Sequence, residues 1–121
     1  MAQISKVPLS GSTNGRGISV VATATLGTTI HASLTSVAVF DEVWLYATNP
    51  TASAVVLTVE FGGAITTSDL IRLSIPSQTG LTLIVPGLIL RGTGGAANQI
   101  TAFAATTAAI EIFGYVNRIT L

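Results

Sequence analysis

The sequence contains no cysteine, which excludes disulfides and thiolate metal ligands. It has one histidine, so a zinc site of the usual histidine-rich kind cannot be assembled from it. Charge is the next shortage. Only 8% of the 121 residues are Asp, Glu, Lys or Arg, against about 25% in an ordinary soluble domain. Five cations balance five anions, so there is neither a basic field for nucleic acid nor an acidic tail. Long apolar runs are also missing. Leu81 to Leu90 is interrupted by Thr82, Pro86 and Gly87 and falls well short of the roughly 20 residues of a membrane-spanning helix. Residues 1–17 hold no apolar core of the kind a secretory leader carries, so neither membrane nor export is expected.

What remains is 49% hydrophobic and patterned with a period of two. Ile18, Val20, Ala22, Ala24 and Leu26 alternate with Ser19, Val21, Thr23 and Thr25. Ile30, Ala32 and Leu34 alternate with His31, Ser33 and Thr35, which places His31 on a polar face. In DEVWLYAT, Val43, Leu45 and Ala47 are expected to face inward, with Trp44 and Tyr46 on the other side. Further strands are expected at Val55–Phe61, Asp69–Ile75, Leu81–Leu90, Gln99–Ala105 and Ala108–Val116. Turn residues separate them: Asn49-Pro50, Gly62-Gly63, Pro76 to Gly80, and Gly92 to Ala97. Pro86-Gly87 is expected to bend its strand or let it switch sheets.

The expected fold is therefore all-β: a single-domain β-sandwich or jelly-roll-like barrel of about eight short antiparallel strands over residues 18–121. Residues 1–17, with Pro8, Gly11, Asn14, Gly15 and Gly17, read as an irregular N-terminal arm. Strand faces carrying Thr, Ser and Ala in place of Lys and Glu lack the usual protection against edge-to-edge association. Such faces suit a chain whose surfaces are covered by other subunits.

Catalytic chemistry finds little support. A Ser-His-Asp set can be composed on paper from His31, a serine, and Asp41 or Asp69, but there is no G-x-S-x-G elbow. Asp41 and Glu42 are adjacent, so on a strand they face opposite ways and cannot act as a carboxylate pair. GSTNGRG and RGTGGAAN lack the Gly-Lys-Ser/Thr ending and the following helix of a phosphate loop. No enzyme, cofactor or metal is expected. Arg72, Arg91 and Arg118 are expected to pair with Asp69, Glu60 or Glu111. Trp44 with Tyr46, and Phe113 with Tyr115, share strand faces and suit a subunit interface or a stacking platform.

The segments PLSGSTNGRGISV, IHASLT, DEVWLYATNP, LTVEFGG, DLIRLSIPSQTGL, VPGLILRG and FGYVNRI, in that order, resemble the decoration or cement proteins of tailed bacteriophage heads. The likeness runs from about Pro8 to Ile119 and rests on turns and strand cores. It implies a jelly-roll-like sandwich, often a homotrimer, docked on the outer surface of an icosahedral capsid and made in the host cytoplasm. Its partners would be further copies of itself and the major capsid protein, with no nucleic acid or membrane involved. Many such proteins are more acidic, so the capsid contacts of this neutral chain would rest on apolar and backbone interactions. Lys6 and Arg16 of the arm, with Trp44 and Tyr46, are the candidate interface residues. The alternative is a carbohydrate- or receptor-binding module of a head fibre or tail, with Trp44, Tyr46 and Tyr115 as its platform.

Overall fold

The structure is a computed structural model and describes residues 2–121. Nine strands form in chain order: β1 (Gln3–Pro8), β2 (Ile18–Ser19), β3 (Thr28–Ala32), β4 (Val39–Thr48), β5 (Val55–Phe61), β6 (Leu70–Ile75), β7 (Thr82–Arg91), β8 (Gln99–Ala104) and β9 (Glu111–Thr120). They make two antiparallel sheets. One runs β1-β9-β4-β7, with β2 also on β9, and the other runs β3-β8-β5-β6. The pairing is nested, with β1 and β2 on β9, β3 on β8, β4 on β7, and β5 on β6. This is a hairpin wrapped on itself into a jelly-roll sandwich.

The period-two pattern explains which face of each strand is covered. Along β4, Asp41, Val43, Leu45 and Ala47 are buried, while Phe40, Glu42, Trp44, Tyr46 and Thr48 are half-buried on the outside. Leu57 and Val59 of β5, Ile75 of β6, Val85 of β7, Ile100 and Ala102 of β8, and Ile112 and Val116 of β9 close the core from both sheets. Every one of these side chains is fully inaccessible and aliphatic. Burying a Val, Leu or Ile contributes about 1.5–3 kcal/mol against leaving it exposed.

Several expectations are corrected. The first 17 residues are not irregular throughout: Gln3 to Pro8 pair in register with Thr120 to Tyr115. A polar hexapeptide shows no apolar periodicity, and β9 supplies the ladder that makes it a strand. Conversely, Ile18–Leu26 is not one strand. Only Ile18–Ser19 pairs with β9, and Ala22 to Gly27 fold across the second sheet. There the Thr25 hydroxyl and the Gly27 N–H (2.8 Å) donate to the buried Glu60 carboxylate. The Thr101 hydroxyl donates to the same carboxylate at 2.6 Å. Burial alone would raise the pKa of Glu60, but these donors outweigh it and hold the group below its ordinary value. Of the two outcomes expected for Pro86-Gly87, a bend or a switch of sheets, the switch does not occur, and β7 stays in the first sheet beside β4. Register shifts at Val43/Trp44 and Leu45/Tyr46 absorb the distortion within the β4–β7 ladder.

Candidate interaction surface

The outer face of the first sheet collects most of the aromatic residues. The register sets Trp44 opposite Tyr115, Tyr46 opposite Phe113, Glu42 opposite Asn117 and Phe40 opposite Ile119. Only Phe61 and Phe103 among the aromatics lie elsewhere. The Trp44 and Tyr115 rings are nearly parallel, with 15° between planes and 6.5 Å between centroids. Lys6 Nζ lies 4.6 Å from the Tyr115 centroid, a cation–π contact worth about 0.5–1 kcal/mol at an exposed site. On the other side Trp44 leans on Gly87, where an added Cβ would come within 3.1 Å of the indole.

Polar groups tie this cluster together. The Trp44 indole N–H donates to Glu42 Oε1 at 2.8 Å, and the Asn117 amide donates to the same oxygen at 2.9 Å. The indole bond, then the amide bond, hold the Glu42 carboxyl below its ordinary pKa against a smaller desolvation effect. Arg91 lies 5.8 Å from the Phe40 ring. Around these groups the face is open and apolar: Ile4, Leu83 and Ile89 are 69%, 46% and 52% exposed.

The four candidate interface residues all meet this face. Lys6 lies on β1, and Trp44 and Tyr46 project from β4. Arg16 sits at the rim in a turn closed by its own N–H to the Thr13 carbonyl at 3.1 Å. A shallow depression there is lined by Thr13, Arg16, Gly17, Glu111 and Phe113. Sequence reading missed Asn117 and Glu42 as members, although their places two residues from Tyr115 and Trp44 on alternating strands put them on the same face.

His31 lies inside the sandwich and not on a polar face. A register shift between Thr29 and His31 turns both Ile30 and His31 inward. His31 Nδ1 accepts the Ser10 N–H at 3.0 Å, so that nitrogen carries no proton. Nε2–H therefore donates to Asp41 Oδ2 at 2.7 Å. Arg118 completes the set, donating from Nε and Nη2 to the two Asp41 oxygens at 2.8 and 2.9 Å. Burial lowers the His31 pKa, and it outweighs the hydrogen bond and the charge of Asp41, which favour protonation; the Arg118 charge lowers it further. The His31–Asp41 contact is thus a hydrogen bond from a neutral ring. For Asp41, burial acts upward, but the Arg118 and His31 hydrogen bonds and charges leave its pKa lowered.

Ser10 meets His31 through its backbone N–H, while its hydroxyl accepts the Ala32 N–H at 2.7 Å. Both ring nitrogens are engaged, so this serine, histidine and aspartate do not form a nucleophile–base relay. Arg118 pairs with Asp41, not with Asp69, Glu60 or Glu111 as expected from sequence. Among the described residues no three His, Cys, Asp or Glu side chains converge as metal ligands, and no helix is long and apolar enough to cross a membrane. Comparison with protein-family models, with curated proteins and with solved structures finds no match to this chain.

Proposed function

We propose that the protein is a structural virion component: a homotrimeric decoration protein that binds the outer surface of an icosahedral phage capsid and ties neighbouring major capsid subunits together. The observation that carries this reading is the outer face of the first sheet. Trp44, Tyr46, Phe113 and Tyr115 stand outside a core that they could have filled, and only 8% of the whole chain is charged. Aromatics of this kind are the usual anchors of protein interfaces. The resemblance to cement proteins in turns and strand cores supports the same reading. The work of the protein is then cross-linking. Several weak docking contacts on one trimer combine into tight attachment, because each contact raises the effective concentration of the next.

Co-sedimentation of the purified protein with expanded capsids tests this. The expected result is saturable binding, a higher temperature of capsid disruption, and at least tenfold weaker binding for Trp44→Ala. Capsids that sediment without the protein would contradict the proposal. A glycan-binding reading draws on one specific arrangement, the parallel Trp44–Tyr115 pair rimmed by Glu42 and Asn117. Saturable quenching of Trp44 fluorescence by a soluble oligosaccharide, with no capsid binding, would move the function to that class.

A further inference from the structure

Strand β1 is attached to the fold in an unusual manner. Five of its six residues are exposed, and Val7 is its one side chain packed against the core. Its hold on β9 is therefore mostly the main-chain ladder from Gln3↔Thr120 to Pro8↔Tyr115. The next residues are fixed firmly. Leu9 is 1% exposed. The Ser10 N–H binds His31, the Ser10 hydroxyl accepts the Ala32 N–H, and the Gly11 N–H donates to the Ile30 carbonyl at 3.0 Å. The chain thus has a loosely held strand upstream of Pro8 and an anchored base downstream of it.

We propose that β1 is an exchangeable strand: in the assembled oligomer, residues 3–8 of one copy leave their own β9 and pair with β9 of a neighbouring copy. This rests on the self-association proposed above. A backbone ladder does not distinguish its own chain from an identical one, so exchange keeps every hydrogen bond and the same register. The added entropic cost of bringing copies together is already met once they are assembled. Six extended residues reach about 20 Å, enough to cross a subunit boundary. The outward side chains of β1, Ile4 and Lys6, lie beside Ile119, Asn117 and Tyr115 and so continue the proposed interface.

The occupant of the vacated edge is a second copy for a stoichiometric reason. Each copy that donates β1 uncovers one β9 edge of matching register, so donors and acceptors balance in a closed ring. An unfilled edge poor in charge would invite uncontrolled pairing.

The chain has no cysteine, so a double variant Lys6→Cys/Asn117→Cys reads the connection directly, since these two positions face each other in the ladder. After oxidation, its mass is measured by light scattering and then on a denaturing, non-reducing gel. Exchange is expected to give covalent multimers on the gel. An oligomer by light scattering that runs as a single chain on the gel overturns the exchange and leaves self-association standing. A single chain in both measurements overturns both. Should the double variant fail to fold, Lys6→Cys and Asn117→Cys copies, refolded together, give a mixed disulfide only by exchange, with Lys6→Cys and Ser74→Cys as the background pair; a yield no higher than that background overturns it.

Discussion

The set Ser10–His31–Asp41–Arg118 does at the scale of single residues what a disulfide does in other small β-sandwiches. It joins the N-terminal crossover, β3, β4 and β9 around one buried carboxylate. Its geometry requires a neutral His31, because Nδ1 already accepts a proton donor. That requirement makes stability depend on pH. The folded pKa of His31 lies below its ordinary 6.5, so the unfolded chain takes up the proton first as pH falls. The stabilisation is complete above that value and is lost on acidification towards the folded pKa. The charged groups facing His31 are Asp41 and Arg118, and the Asp41 pKa is lowered from 3.8, so its own contribution disappears only at more acid pH. Urea unfolding from about pH 7.5 to about pH 5.5 is expected to show stability falling by up to about 1.4 kcal/mol per pH unit. His31→Gln is expected to flatten that dependence, since no other histidine exists. A wild-type midpoint that does not move over this range would contradict the neutral, buried ring.

At the scale of elements, β4 and β9 form the longest uninterrupted ladder, from Val39↔Thr120 to Thr48↔Glu111. Gly114 permits its close approach at the centre, because a Cβ there would collide with the Trp44 carbonyl oxygen. Backbone cannot yield as a flexible side chain does, so Gly114→Ala is expected to destabilise the protein by about 3 kcal/mol. Chemical denaturation checks this, and a loss below about 0.5 kcal/mol would show that the two strands have room between them. Much at this scale was legible in the sequence. Strict alternation in DEVWLYAT separates Asp41, Val43, Leu45 and Ala47 from Glu42, Trp44 and Tyr46, as the burial of β4 shows. The exceptions share a cause: partners far away in sequence. β1 is a strand only because β9 lies beside it, Arg118 reaches Asp41 across 77 positions, and Thr25 and Gly27 leave the strand pattern to serve Glu60. His31 was misplaced because a bulge shifts the period by one residue, which pattern reading cannot detect.

For the molecule as a whole, the partition of side-chain types carries the meaning. The inaccessible core is mostly aliphatic, with the His31–Asp41 and Glu60 networks, Asn49 and Thr58 as its main polar members, while five of the seven aromatic rings lie on one outer face. A sheet face of this kind, on a chain with 8% charged residues, is what the proposed contact with other subunits calls for. The residues marked by the sequence, Lys6, Arg16, Trp44 and Tyr46, converge on that face from the N-terminal segment and β4. Their convergence was visible only in part. Trp44 and Tyr46 share a side by alternation, but nothing short of the β1–β9 register brings Lys6 to Tyr115. Self-association is decided by the absolute mass of the purified protein, measured by light scattering after size exclusion. A homotrimer has a mass three times 12.3 kDa, and paired substitution of Trp44 and Tyr115 with alanine is expected to reduce it to a single chain. A wild-type protein that stays at 12.3 kDa across the accessible concentration range would contradict it, and the aromatic face would then belong to a ligand and not to a neighbouring subunit.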